Sequence, residues 1–426
     1  MQKNDPRYGA FVSILDSQLR PAMGCTEPIA IAYAAAVARD TLGCMPDRVC
    51  VRVSGNIVKN AKSVTVPNTD GKRGIEAACA AGLVGGDAGR QLEVIAALTP
   101  AQRAQIDTFL AGTPVQVALM DEGHIFDLQI ELAGQGHTSS VRITDRHTNI
   151  VRIERDGHVL RSAQAVQIAP GETPGERLLT IESICDFAAT CDLADVRTPI
   201  ERQIAYNSAI AAEGLKGCWG AGIGRTMLDM FGEADVRLYA CACAAAGSDA
   251  RMGGCDLPVV INSGSGNQGI TVSVPVICFA RRLNVPHERL VRALVLSNLV
   301  AIHQKTEIGC LSAYCGVVTA GSAAGAGIAY LQGGDLHLIN HTIVNTLAVL
   351  SGTICDGAKA SCAAKIASSV HAALLGYHMA LERREFRGGD GIVKKGVENT
   401  IRNVARLARD GMSETDREIL RIMTDC

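Results

Sequence analysis

Cysteine is the residue type in this sequence with the richest possible chemistry. The chain has 16 cysteines in 426 residues. Two C-terminal stretches hold four of them: EIGCLSAYCG contains Cys310 and Cys315, and SGTICDGAKASCAAK contains Cys355 and Cys362. Thiolate clusters bind soft metals as zinc sites or iron–sulfur clusters. A closed zinc site normally uses two close cysteine pairs, and the sequence has no CxxC pair. Three separated cysteines with a remote fourth therefore favour a [4Fe-4S] cluster with one labile position.

A further cysteine, Cys25, stands in the motif GCTEP directly before the alanine-rich stretch PIAIAYAAAVAR. Thr26 is suited to cap the helix predicted there, and Pro28 suits an early helical position. The N-terminus of a helix lowers the pKa of a thiol and favours the thiolate. Cys25 is therefore a candidate catalytic thiol, and the structural alternative is a small residue at a helix entrance.

Two polar regions could hold the charged ends of a small zwitterion. The first is SGNIVKNAKSVTVPNT at residues 54–69, and the second combines SDARMGG with NSGSGNQGI at residues 248–254 and 262–270. Glycines let backbone amides approach a ligand, and the guanidinium fork of Arg251 matches a carboxylate. A solvated loop, or an ion pair of Arg251 with Asp249 or Asp256, is the alternative. The candidate substrate-binding residues are Asn56, Lys59, Asn60, Arg251, Ser263, Ser265, Asn267 and Gln268.

The string GSGNQG formally matches the G-x-G-x-x-G fingerprint of dinucleotide-binding folds. That fingerprint should open a helix and be followed by an acidic residue about 20 positions later. The following stretch ITVSVPVICFA contains Pro275 and many β-branched residues, which predicts that no helix follows. We therefore reject a nucleotide site, and the sequence has no Walker A pattern either.

The elements that must position these residues differ between the two halves of the chain. Residues 48–160 contain runs of β-branched residues separated by turn residues, with alanine-rich helical stretches before and between them. Residues beyond Arg177 read as a series of helices, and APGETPGER at 169–177 resembles a linker. We predict an α+β N-terminal domain at residues 1–175, carrying Cys25 and a substrate loop. A mainly α-helical catalytic domain with the metal ligands should follow at residues 176–426.

Composition excludes several classes of partner. Forty-one Lys and Arg balance 43 Asp and Glu, so neither a nucleic-acid surface nor a polybasic membrane patch is supported. The long uncharged stretches are rich in Gly, Ala and Ser rather than in large apolar residues, which indicates buried helices and no membrane span. The N-terminal residues show no secretion signal, so we expect a reducing cytoplasm, where most other cysteines are inert packing residues. The expected partner is a small amino acid, and a homodimer is possible.

Six motifs occur in order along the chain: GCTEP, KNAKSVTVPNT, SDARMGG, NSGSGNQGI, CDGAK and SCAAK. With these motifs the sequence closely resembles the bacterial and archaeal L-cysteine desulfidase family, which is related to the α chain of iron–sulfur L-serine dehydratases. The resemblance implies an oxygen-sensitive [4Fe-4S] lyase that converts L-cysteine and water to pyruvate, ammonia and hydrogen sulfide. It also implies that Cys315, Cys355 and Cys362 bind the cluster. Cys25 would be either the base or a displaceable fourth ligand.

Some alternatives stay open at the level of sequence. Cys310 lies five residues before Cys315 and could replace it as a ligand. An iron–sulfur L-serine dehydratase would use the same residues, with hydroxide leaving instead of a thiolate. A metal-free protein that binds a small molecule on the same fold is an alternative of another class. Pyridoxal phosphate chemistry is disfavoured, because no phosphate-binding loop adjoins a candidate lysine.

Overall fold

The computed structural model describes residues 1–120, 124–163, 175–309 and 311–424. Cys310 and most of the predicted linker at 169–177 lie outside these residues. The N-terminal part mixes helices with a sheet, and the C-terminal part is mainly helical, so the predicted fold class is confirmed. None of the described helices is long and apolar enough to span a bilayer.

The N-terminal part alternates helices and strands before it runs into consecutive hairpins. Its elements are α1 (Tyr8–Gln18), β1 (Pro21–Met23), α2 (Thr26–Leu42), β2 (Arg48–Ser54), α3 (Gly55–Ala61), α4 (Gly74–Gly85), α5 (Pro100–Gly112), β3 (Val115–Met120), β4 (Asp127–Gly134), β5 (His137–Thr144), β6 (Ile150–Arg155) and β7 (His158–Ser162).

Strands β2 to β7 form a six-stranded sheet in the order β3-β2-β4-β5-β6-β7, in which only the β2–β3 pair is parallel. Alternation in β2 buries Val49, Val51 and Val53, and the alanine-rich helix α2 packs against the strands β4 and β5 of the same sheet. The β6–β7 turn places Asp156 and Gly157 at positive φ, as a tight hairpin requires. The turn sequences RHTN at 146–149 and RDGH at 155–158 predict tight hairpins, and the antiparallel pairs β5–β6 and β6–β7 confirm them.

The C-terminal part packs most of its helices into one apolar core with the N-terminal part. Its elements are α6 (Ile181–Thr190), α7 (Leu193–Gly214), α8 (Ile223–Phe231), α9 (Val236–Met252), β8 (Pro258–Val260), α10 (Gly266–Arg282), α11 (His287–Thr306), α12 (Gly316–Leu331), α13 (Leu336–Leu350), α14 (Cys362–Leu381), α15 (Val397–Arg406) and α16 (Ser413–Thr424).

Helix α12 explains why the uncharged stretches are built from small residues. A Cβ added to Gly321 would lie 2.0 Å from the Ser369 hydroxyl of α14, and one added to Gly327 would lie 2.9 Å from Ser297 of α11. Side chains at these positions would push the helices apart, so glycine allows three helices to approach closely. The stretch is therefore a buried helix of a packed core, as predicted.

Several predicted elements are wrong in detail. The stretch after GSGNQG is the helix α10, which tolerates Pro275 because residues 266–280 are all buried and core packing overrides their weak helix propensity. The β-branched run at residues 64–66 predicts a strand, but Thr65 makes only an isolated bridge to Arg73. The pattern at residues 92–110 predicts one helix, but α5 starts at Pro100 because Thr99 and Gln102 form a capping box there.

The first 25 residues contact the helical part of the chain. Strand β1 pairs antiparallel with β8, with Pro21 opposite Val260. The ring of Phe11 on α1 packs edge-on at 5.3 Å from Phe187 on α6. This pairing brings Cys25, just after β1, beside the loops that flank β8. The domain boundary at residue 175 stays a prediction.

Candidate active site

Three of the candidate ligand cysteines lie at or near helix N-termini. Cys315 occupies the N-cap position of α12, Cys362 is the first residue of α14, and Cys355 lies in the loop before α14. The loops of Cys315 and Cys355 run antiparallel: the Cys315 N–H donates to the Thr353 carbonyl at 3.0 Å, and the Cys355 N–H donates to the Ala313 carbonyl at 2.6 Å. This short ladder holds the two thiols together. Backbone dipoles at helix N-termini favour thiolates.

The electrostatics of these thiols favour a thiolate at Cys355. The pKa of Cys355 is well below its ordinary value, because it accepts a hydrogen bond from Cys315 and because the positive charges of Lys59 and Lys305 lie near it. The Cys315 thiol donates that hydrogen bond, so its pKa is raised. Burial raises the pKa of Cys362, and the charge of Cys355 adds to the effect. Three mutually interacting thiols with two nearby ammonium groups suit a cluster of thiolate ligands.

Cys25 is the N-cap residue of α2 and is only 1% exposed. Its thiol lies 4.0 Å from the sulfur of Met252, and it packs in a small group with Val64 and Cys362. Burial raises the pKa of Cys25 to about 12, while the charge of the nearby Arg251 acts in the opposite direction. The predicted lowering of this pKa is therefore wrong, because desolvation outweighs the helix terminus.

Arg251 lies close enough to Cys25 for its charge to act on the thiol, and the Asn267 Nδ2 donates to the sulfur of Met252 at 3.7 Å. Gln268 is the next residue, and all three side chains are almost completely buried. The Arg251 Nε, the Asn267 Oδ1 and the Gln268 Oε1 have no hydrogen-bond partner among the described residues. Leaving such groups unpaired costs about 1–3 kcal/mol each, so proteins rarely keep them without a ligand or water. The arrangement offers a fixed cation for a carboxylate and two carbonyl oxygens for an ammonium group.

The alternative role for Arg251 as part of a structural ion pair is not found among the described residues. The carboxylate of Asp249 accepts hydrogen bonds from the backbone N–H of Gly224 at 2.9 Å and of Ala221 at 3.3 Å, next to the start of α8. The carboxylate of Asp256 accepts from the Asn68 N–H at 2.8 Å. Both neighbouring carboxylates therefore stabilise backbone, and the guanidinium faces the thiols.

The residues predicted from the first polar region lie on the short helix α3. Lys59 is buried and forms an ion pair with Asp416 of α16, a partner that the sequence did not indicate. The amide of Asn60 donates to Glu27 at 3.2 Å. The Asn56 Oδ1 has no partner among the described residues and belongs to a side chain that lines a cavity of about 420 Å³ with Lys59. Substrate contact by these three residues stays a prediction.

The two serines of the glycine-rich region have local partners. The hydroxyl of Ser263 donates to Asn262 at 2.9 Å, and the residue has a positive φ of 49°. Ser265 caps α10 by accepting from the Gln268 N–H at 3.4 Å. These contacts stabilise the loop that leads into Asn267 and Gln268. A contact of either serine hydroxyl with the substrate stays a prediction.

Sequence reasoning missed a carboxylate and a histidine beside the site. Glu27 is buried, and its Oε1 lies 3.7 Å from the Nε2 of His147, which comes from the β5–β6 loop. Burial alone would raise the pKa of Glu27, but the hydrogen bond and charge of His147 hold it below its ordinary value. Glu27 stands in GCTEP, two positions after Cys25, and this was the available signal. His147 is distant in sequence, so only the fold brings it here.

A model of the serine dehydratase alpha chain family matches residues 89–421. The chain belongs to this family. The matched range includes Arg251 and the three thiols Cys315, Cys355 and Cys362. Cys25 lies before the start of this range. Family membership supports an iron–sulfur lyase of the serine dehydratase type and leaves the substrate open.

The family member is also similar to curated bacterial proteins over nearly its whole length. A UPF0597 protein of Desulfitobacterium hafniense is 52% identical over 423 residues, which cover 99% of this chain and 98% of the relative. A UPF0597 protein of Lachnoclostridium phytofermentans is 50% identical over 416 residues, which cover 98% of this chain and 99% of the relative. A UPF0597 protein of Treponema denticola is 43% identical over 99% of both.

Proposed function

We propose that this protein is an L-cysteine desulfidase that uses a [4Fe-4S] cluster to convert L-cysteine and water to pyruvate, ammonia and hydrogen sulfide. The observation that carries the proposal is that Cys315, Cys355 and Cys362 lie close together in a largely buried region that also holds Arg251 and Cys25. In that region the Arg251 Nε and the Asn267 Oδ1 lack hydrogen-bond partners among the described residues. The elimination requires ligands for a soft metal and groups that bind an amino acid. The thiols could supply the first, and the polar side chains could supply the second.

Cys315, Cys355 and Cys362 would hold the cluster through their sulfurs. When bound there, a cluster with an open iron supplies a Lewis acid that stabilises negative charge on the leaving group. Lys59 and Lys305 lie near enough to Cys355 to lower its pKa, so they would also offset the charge of the thiolate ligands. Cysteine thiolates are the ordinary ligands of such clusters, so the residues fit this group.

The remaining side chains bind and orient the substrate. The Arg251 guanidinium, 3% exposed, would bind the substrate carboxylate through two parallel hydrogen bonds. The free carbonyl oxygens of Asn267 and Gln268 would accept hydrogen bonds from the ammonium group. Neutralising the carboxylate makes the α-proton easier to remove, and holding the substrate in one orientation supplies much of the rate enhancement.

Cys25 lies in the same region as the three thiols, in contact with Met252 and Cys362. We propose that its sulfur either removes the α-proton, as a thiolate stabilised by the charge of Arg251, or serves as a fourth ligand that the substrate displaces. Loss of the proton from Cα and of hydrosulfide from Cβ leaves aminoacrylate. Aminoacrylate tautomerises and reacts with water to give pyruvate and ammonia, so atoms and charge balance.

The second candidate is L-serine dehydration to pyruvate and ammonia, which the family match favours. Both reactions use the same cradle and differ only in the atom that leaves Cβ. Protein reconstituted with iron and sulfide under argon should be tested with each amino acid, measuring pyruvate from both and sulfide from cysteine. A higher kcat/KM for L-cysteine supports the proposal, and a higher value for L-serine overturns it in favour of the second candidate.

Variants separate an iron–sulfur lyase from a metal-free binding protein. Cys362→Ala should lose labile sulfide and turnover, because one of three cluster ligands is gone. Cys185→Ala on α6 is the matched control and should keep both. Full activity of aerated, iron-free protein, or unchanged iron content in Cys362→Ala, would refute the iron–sulfur mechanism.

A further inference from the structure

A second group of metal-binding side chains lies at the end of the α13–α14 hairpin. It contains His337 and His341 on α13 and Glu385 in the segment that follows α14. We propose that these three residues bind a divalent transition-metal ion, zinc above all, at a site that is distinct from the thiols. This site contains no cysteine, and its proposal does not rest on the reaction proposed above.

The geometry of the three side chains fits one ion. His337 and His341 are four residues apart, so both imidazoles project from the same face of α13. The His337 Nε2 lies 3.4 Å from Glu385 Oε1, the His341 Nδ1 lies 3.2 Å from Glu385 Oε2, and all three groups offer ligand atoms within 4.8 Å of one another. Tetrahedral zinc with bonds of about 2.0–2.1 Å places its ligand atoms about 3.4 Å apart.

The carboxylate is held in place by the same helix that carries the histidines. Asn345, one further turn along α13, accepts a hydrogen bond from the Phe386 N–H at 3.1 Å and donates to the Arg384 carbonyl at 3.3 Å. Glu385 stands between these two anchored residues. A ligand fixed by such supporting contacts loses little freedom when an ion binds, which raises the affinity.

The protonation and hydrogen-bonding state also suits a metal. The two imidazole rings lie 4.4 Å apart, so two protonated rings would repel each other. The His341 Nδ1 is buried and has no hydrogen-bond partner among the described residues, although Glu385 is close.

The ligand set suits a first-row transition-metal ion such as zinc. Imidazole suits zinc, copper and nickel, whereas magnesium and calcium prefer oxygen ligands. The exposed His337 gives an ion access from solvent, and three protein ligands leave a fourth position for water. An ion here would link the first turn of α13 to the segment after α14 and so stabilise the hairpin.

The test compares zinc binding by four proteins in equilibrium dialysis: the wild type, His341→Ala, Glu385→Gln and the control His371→Ala, which removes an exposed histidine of α14. The thiols are the same in all four, so differences report on this site whatever the state of the cluster. The wild type and the control should each bind one more zinc ion per chain than His341→Ala and Glu385→Gln. If the variants still bind that ion, their Kd for zinc should be at least about tenfold higher. Zinc should also raise the Tm of the wild type and the control more than that of the variants.

Equal zinc stoichiometry and affinity in the wild type and in Glu385→Gln would overturn the proposal. This variant keeps the shape of the side chain, so a failure to fold is not expected, and circular dichroism checks it. Anomalous diffraction at the zinc edge from soaked crystals gives an independent result. A peak about 2.0–2.2 Å from both imidazole nitrogens supports the site, and its absence there refutes it.

Discussion

The close approach of Gly266 to Arg251 allows a specific prediction about substrate binding by the guanidinium. A Cβ added to Gly266 would lie 2.2 Å from Arg251 Nε, 2.7 Å from its Cζ and 2.8 Å from a methyl group of Val259. Gly266 is the first residue of α10, and its φ is not positive, so alanine is compatible with the backbone there. Gly266→Ala should therefore displace the guanidinium and leave the fold nearly unchanged.

The size of the effect follows from the interaction that is lost. A hydrogen bond to a charged group contributes about 1.5–3 kcal/mol. Because about 1.4 kcal/mol corresponds to a factor of ten, kcat/KM should fall by about tenfold to about 150-fold. Arg251 is expected to bind the carboxylate in the ground state and in the transition state, so most of the loss should appear as a higher KM. The free energy of unfolding should change by less than about 1 kcal/mol, since alanine favours the helix while the arginine must move.

The assay is steady-state kinetics on the reconstituted enzyme, together with urea unfolding. Gly9→Ala is the matched control, because this glycine lies in α1 and a Cβ there would meet no atom within 4 Å. The control should keep wild-type kcat/KM. Wild-type kcat/KM in Gly266→Ala would refute the role given to Arg251, and a large loss of stability would refute the local nature of the change.

Three further predictions concern the same region. Arg251→Lys should lose most of the activity, because an ammonium group cannot make two parallel hydrogen bonds to a carboxylate; kcat/KM near the wild-type value would contradict this. Cys355→Ser should bind less iron and lose the visible absorption of the reconstituted protein, and an unchanged spectrum would remove Cys355 from the ligand set. Asn207→Ala should lower the free energy of unfolding by about 2–4 kcal/mol in urea. The amide of Asn207 bonds the Val260 N–H at 2.9 Å and the Gly269 carbonyl at 3.0 Å, so a loss below about 1 kcal/mol would show that this clamp is weak.

Local patterns allowed correct predictions for much of the fold. The alternating residues of β2, at 48–54, indicate a half-buried strand whatever lies around it, because side chains of a strand point alternately to its two faces. The turn at Asp156 and Gly157 is equally local, since its positive φ angles suit these residue types. Helix α10 was missed for the opposite reason. Its residues have weak intrinsic helix propensity, and their helical state depends on burial among other helices.

The candidate ligands and the binding loops could be identified from residue types and motifs, but their environments could not. Cys25 illustrates the difference: its position before a helix predicts a low pKa, whereas its burial raises the pKa to about 12. Burial depends on Val64, Met252 and Cys362, which are remote in sequence. Lys59 likewise belongs to a stretch for which a solvated loop was the alternative, yet the side chain is buried against Asp416, 357 residues away along the chain.

The residue types and the order of the motifs are enough to show which chemistry is possible, because they supply the thiols, the guanidinium and the amides. Which of these groups meet depends on the tertiary structure. The β1–β8 pairing and the hydrogen bond between Cys315 and Thr353 join segments that are far apart in the chain. The first places Cys25 beside the loops that flank β8, and the second holds Cys315 next to Cys355. The same holds for Glu27 with His147 and for His341 with Glu385. Such contacts arise from the packing of the whole core, so no local sequence pattern encodes them.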